Sequence, residues 1–194
     1  MGDIRNYFNI PINLGKVSPI NLGKVSTNIN IYTDGSSLNN GQKGKYHSGG
    51  IGIYIEDSGE EISKKLDGKI TNNIAELKAC IVGINTILSR KTYSNEVINI
   101  YSDSEYVIKS ITQWSINWKK NDWKKYNKIK KCKTDIKNKE LIIELYTLYI
   151  NCNINFIHVK AHTSKPLNNK SKEYKIWYGN YIADKLAVSA SCNN

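Results

Sequence analysis

An α/β domain built on a five-stranded mixed sheet is predicted by three features of this 194-residue chain. Five short segments alternate apolar and polar residues or are rich in β-branched ones, as strands are. A long segment, Asn73 to Leu88, instead carries Ile74, Leu77, Ile81, Ile84 and Leu88 at the spacing of one helix face. The order of elements, β-β-β-α-β-α-α-β-α, suits a mixed sheet covered by helices.

Residues 1–27 read as a flexible tail, with "PINLGKVS" at 11–18 repeated at 19–26, and the domain occupies 28–194. Two copies are too few for a solenoid. "INIYT" (29–33) is the first strand, ending at Asp34, and a polar, Gly-rich turn follows. "GIGIYI" (50–55) and "EEISKKL" (60–66) complete an antiparallel meander. After the long helix, "VINIYS" (97–102) is a strand and "SEYVIKSIT" (104–112) a short helix. "KELIIELYTLYI" (139–150) is an apolar helix, "INFIHV" (154–159) the fifth strand, and "NYIADKLAVSA" (180–190) the last helix.

Hydrophobic content of 40% and charged content of 23% are those of a globular domain. No apolar run reaches the length of a membrane span, and the first residues lack the plan of a signal peptide. The expectation is an intracellular monomer, cytoplasmic and nuclear locations not being distinguished. Cys80, Cys132, Cys152 and Cys192 lack metal-site spacing and read as reduced thiols.

Net charge is +11, and residues 119–139 alone hold ten lysines against two aspartates. A charge run by itself is a solvated face. Here Trp114, Trp118 and Trp123 are interleaved with it, and a solvated face has no use for indoles.

Asp34 ends a strand, Glu76 lies in the first turns of the long helix, Asp103 ends the fourth strand, and Asp184 is near the start of the last helix. Each alone has a plain explanation: a turn, a dipole charge or a cap. Together they suggest more. If the first and fourth strands are parallel neighbours, their ends meet where α/β sheets build sites. Clustered carboxylates repel each other unless divalent cations sit among them, and oxygen-only ligands suit Mg²⁺ or Mn²⁺.

"YTDGSS", "TNNIAELKA", "YSDSEYVI", "ITQWSINWKKNDWKK", "HVKAHT" and "GNYIADKLA" resemble, in order, the blocks of ribonuclease H type 1. The resemblance spans residues 28–190 and implies a ribonuclease H-like fold, with helices on both faces of the sheet and a basic protrusion. It implies endonucleolytic hydrolysis of the RNA strand of an RNA–DNA hybrid, leaving 3′-hydroxyl and 5′-phosphate ends. The family's carboxylates fall on Asp34, Glu76, Asp103 and Asp184, and its loop histidine on His162. Two Mg²⁺ ions, with Mn²⁺ as substitute, are implied. Asp34 would bridge them, Glu76 and Asp103 would hold the ion on the leaving-group side, and Asp184 the water-activating one. His158, within a strand, reads as structural.

The same resemblance explains the tryptophans. Lysines such as Lys119, Lys120 and Lys124 meet phosphates. Trp114 and Trp118, with Tyr106, are expected to pack on the DNA strand, while Trp123 either joins them or anchors the protrusion. A DNA phosphate pocket is carried over onto Thr71 and Asn138, with Lys69 beside it. Asn40, Asn72 and Asn73 match positions that read RNA 2′-hydroxyls.

Glu105 departs from the family pattern, placing a charge where an uncharged residue suits RNA better. So does the long interval from His162 to Asp184, whose insertion 163–179 is expected to be a second, mobile contact to the hybrid. Three rival readings remain: a reverse-transcriptase ribonuclease H domain, another nuclease of the same topology, and a non-catalytic RNA–DNA hybrid-binding protein. The intact carboxylates argue against the last.

Overall fold

The computed structural model of the protein describes residues 28–38, 48–94, 96–127, 129 and 131–192. The tandem octapeptide and Asn40 lie outside the described residues. Strands β1 (Ile29–Ser37), β2 (Gly49–Ile55), β3 (Glu60–Leu66), β4 (Ile98–Ser102) and β7 (Ile154–His158) form one sheet in the order β3-β2-β1-β4-β7. β1–β2 and β2–β3 are antiparallel; β1–β4 and β4–β7 are parallel. The predicted five-stranded mixed sheet is therefore observed.

Period-2 alternation divides the core in two. From β1, Ile31 faces α1 (Asn72–Leu88), joining Ile53, Leu77, Ile84 and Ile100 in the larger cluster. These are fully buried, each stabilising the fold by about 1.5–3 kcal/mol. Its neighbour Tyr32 points to the opposite face and stacks on Tyr101 at 4.6 Å, beneath α5 (Lys172–Cys192) and its Ala183.

Two glycines set how closely the helices approach. A Cβ on Gly35 would collide with the backbone of Ala75 and Glu76, so β1 and α1 meet there because no side chain intervenes. A Cβ on Gly52 would collide with the carbonyl of Ala183, and α5 presses onto β2 for the same reason.

Several expectations are corrected. β1 runs on to Ser37, so Asp34 lies inside the strand, paired with Gly52. α5 starts at Lys172, not at 180, because Ser171 caps it: its hydroxyl accepts from Tyr174 N at 3.1 Å. Residues 172–179 are thus helical, and Asp184 sits mid-helix. The short helix α2 (Glu105–Lys109) continues through a π turn (Ser110–Trp114) into α3 (Ser115–Lys120). The Ser115 hydroxyl donates to Ser110 O at 2.6 Å across that turn. Beyond it, β5 (Lys124–Asn127) and β6 (Cys132–Asp135) pair as a hairpin that the sequence reading lacked. α4 (Lys139–Asn151) follows. Among the described residues no helix is long and apolar enough to cross a membrane.

Candidate active site

Each carboxylate is delivered by a different element. Asp34 comes from central β1. Asp103 follows the last residue of β4, where Ser102 O accepts from Val159 N at 3.0 Å and Ser104 caps α2. Glu76 lies one turn into α1, whose start is set by the Thr71 hydroxyl accepting from Ile74 N at 3.3 Å. Parallel pairing of β1 with β4 and the close approach at Gly35 then force the three together. One carboxylate oxygen from each of Asp34, Glu76 and Asp103 lies within 4.8 Å of the others.

Burial and mutual repulsion make these groups hard to ionise. Burial first, then Asp103 and Asp184, push Asp34 up to about 7; a hydrogen bond with Asp184 adds to the rise and one from the Gly35 backbone opposes it. Burial, then Asp34 and Asp103, push Glu76 up to about 9. Asp103 is raised by burial and by Asp184, with His162 and His158 acting in the opposite direction. From α5, Asp184 thus acts on Asp34 and Asp103.

The residues fit divalent cations. Glu76 Oε2 is buried and has no hydrogen-bond partner. An orphaned carboxylate oxygen inside a ring of carboxylates is costly unless a cation completes it. All-oxygen donors suit Mg²⁺ or Mn²⁺ better than zinc.

From this centre a cleft of about 640 Å³ runs along α5, lined by Asp103, His158, His162, Trp177 and Asp184 among others. His162 is exposed in the loop after β7 and adopts φ +49°, a left-handed conformation unusual for a residue with a side chain. His158, read as structural, ends β7 opposite Ser102 and also lines the cleft. The rule that placed Asp103, the C-terminal end of a parallel strand, would have found it.

The expected nucleic-acid residues divide into groups. Tyr106, Trp114, Trp118 and Asn138 are contiguous. Asn138 Nδ2 donates to the Tyr106 hydroxyl at 3.1 Å, the rings of Tyr106 and Trp114 are 6.3 Å apart, and those of Trp114 and Trp118 are 5.5 Å apart. Trp114 is exposed, whereas Trp118 is half-buried against the core. Trp123 is an anchor: it packs edge-on against Tyr146 at 5.6 Å, and its carbonyl accepts from Ile136 N at 3.1 Å. Lys119 lies over the same Tyr146 ring at 5.6 Å, while Lys120 and Lys124 are exposed. On the other side, Lys69 and the α1 residues Asn72 and Asn73 are exposed beside Glu76, with Thr71 engaged as the cap. The charge of Glu105 is met by Lys109 at 2.5 Å.

Comparison with known proteins agrees with this architecture. The RNase H family model matches residues 26–192. A "Ribonuclease H" of Clostridium botulinum is 40% identical over 141 residues, 72% of this chain and 87% of that protein. A "Ribonuclease H" of Treponema denticola is 36% identical over 84% of this chain and 96% of its own. The solution structure of the PFV RNase H domain superposes with a TM-score of 0.60 at 25% identity, covering 84% of this chain and 93% of the other.

Proposed function

This chain belongs to the ribonuclease H family, and from that premise we propose how its residues carry out the family's reaction. The protein is an endoribonuclease that hydrolyses the RNA strand of RNA–DNA hybrids. The observation that carries the residue assignment is the convergence of Asp34, Glu76 and Asp103 around a partnerless Glu76 Oε2.

Asp34, Glu76, Asp103 and Asp184 would hold two Mg²⁺ ions, with Mn²⁺ able to replace them. Such ions supply acidity to an attacking water and neutralise charge on the leaving oxygen. The protein's own groups do the rest. Asp34 orients between Asp103 and Asp184, and α1 holds Glu76 against it. His162, exposed on the cleft rim, carries protons at the mouth of the site, a task suited to an imidazole near neutral pH. The products carry 3′-hydroxyl and 5′-phosphate ends. Trp114, Trp118 and Tyr106 pack on the DNA strand, and Lys120 and Lys124 meet its phosphates. Asn72 and Asn73, one turn from Glu76, contact RNA 2′-hydroxyls, which is how the site selects RNA for cutting.

All four carboxylates come from one chain, which supports a monomer. Four free thiols support a reducing, intracellular setting. The test is cleavage of end-labelled RNA presented in a hybrid, alone, and in duplex RNA, with and without Mg²⁺. Mg²⁺-dependent cutting of the hybrid alone is expected. Equal cutting of single-stranded RNA would overturn the reading.

A further inference from the structure

We propose that Trp177 is a positioning residue that clamps the His162 loop onto α5, the helix that carries Asp184. The inference rests on the family reaction for the role of His162, and on the following geometry for the clamp.

After β7 ends at His158, no helix or strand begins again until Lys172. His162 therefore sits on a segment that has no regular element to hold it, in a left-handed backbone conformation at φ +49°. Such a conformation persists when surrounding contacts impose it. The contact is one residue away. Trp177 Nε1–H donates to the carbonyl of Thr163 at 3.0 Å. The ammonium of Lys165, two residues further on, lies 5.9 Å from the Trp177 ring and 5.7 Å from the Tyr174 ring. The loop thus grips the indole from its edge and through a cation.

The indole is in turn fixed to the catalytic frame. Tyr181 stacks on it at 5.3 Å with an angle of 10° between the rings. Three residues beyond Tyr181 on the same helix is Asp184. Helix α5 cannot slide at this point, because Gly179 fits against the Tyr32 ring of β1 and Ala183 against Gly52 of β2. The loop next to His162 is therefore joined through Thr163, Trp177 and Tyr181 to the stretch of α5 that carries Asp184. Trp177 meets Tyr181, Tyr174 and the Lys165 ammonium, so its ring serves this chain's own packing. That separates it from the exposed Trp114, and it changes the expectation that 163–179 is a mobile contact to the hybrid.

The test uses the full chain, Trp177→Phe and His162→Ala, singly and combined, in single-turnover cleavage of an RNA–DNA hybrid with Mg²⁺. Trp177→Phe keeps a ring and deletes the N–H. It should slow cleavage about tenfold, as misplacing a reacting group does, and leave hybrid affinity unchanged. In the His162→Ala background it should add nothing. The same fold-loss in both backgrounds, or a loss of affinity in place of rate, would overturn the proposal; the latter would make Trp177 a nucleic-acid contact. A second arm needs no activity. In histidine-labelled protein, NMR should show the His162 ring signal shifting and broadening in Trp177→Phe and in Lys165→Gln, with His158 unmoved. An unmoved His162 signal overturns the clamp. Failure of the unsubstituted protein to cut any hybrid would overturn the family reading instead, and leave this second arm standing.

Discussion

Asp34, Glu76 and Asp103 converge where β1, β4 and α1 meet, with Asp184 of α5 hydrogen-bonded to Asp34, whereas the exposed Lys119, Lys120, Lys124, Lys125 and Lys133 stand on α3 and on a hairpin tied to the core through Trp118, Trp123 and Ile136. In the first region like charges are buried together, and only a frame as tight as the Gly35 and Gly52 contacts keeps them there. In the second, like charges are spread over exposed residues where water and salt screen them. The centre is therefore expected to behave as a unit, with Asp34 and Asp103 each coupled to Asp184 and to Glu76. The protrusion is expected to be additive, each lysine adding a small share that the neighbours can cover.

The largest expected effect tests the centre. Asp34→Asn should lower hybrid cleavage about a thousandfold, or ~4 kcal/mol of barrier. It should also leave the metal-free protein at least as stable, because one repelling charge is gone. A thermal midpoint that drops with the rate would show that Asp34 supports the fold rather than the chemistry.

Gly35→Ala attacks the frame without touching a charge. Its Cβ meets the backbone at Ala75 and Glu76, so the strand and helix must part, at a cost of about 1–3 kcal/mol. Denaturant unfolding should register that loss, and cleavage should fall because Glu76 is carried away from Asp34. Unchanged stability would mean that the approach is looser than described.

The pH dependence has a definite sign. Asp34 and Glu76 titrate at about 7 and about 9 in the folded protein, above their ordinary values of 3.8 and 4.5. The folded state therefore holds extra protons between those limits. The contribution of these groups is greatest below the ordinary values and is lost as pH rises through about 7 and then about 9. Metal-free protein should lose thermal stability over that span, and Mg²⁺ should restore more of it at high pH than at low. Glu76→Gln should flatten both curves. A steep loss of stability persisting in that variant would assign it to other groups.

The smallest effects belong to the protrusion. Lys120→Gln and Lys124→Gln should each weaken hybrid binding a few-fold and reduce the slope of log affinity against log salt by about one. The single-turnover rate at saturating enzyme should not change. An unaltered salt slope would place these lysines off the phosphates.

Much of the centre was legible because it rests on apolar strands and one regular helix. The β-branched runs identified β1 and β4, and their adjacency brought Asp34 and Asp103 together on paper. Three features were not read. The β5–β6 hairpin is held by backbone pairing between short polar segments, Lys124 opposite Asp135 among them, and carries no apolar alternation. The first turns of α5 were assigned to a polar loop. Yet Tyr174, Trp177, Tyr178 and Tyr181 keep helical spacing, and Gly179 is where Tyr32 needs room. His158 was set aside as a strand residue, although it ends a strand beside Asp103.

The most direct test of the division between a cutting centre and a holding surface is to measure single-turnover rate and hybrid affinity side by side for Asp103→Asn and Trp114→Ala. A crossed result is expected. Asp103→Asn should abolish cleavage with affinity intact, and Trp114→Ala should weaken affinity by about 1–3 kcal/mol with the rate at saturation nearly unchanged. Two variants that each lose rate and affinity together would contradict it.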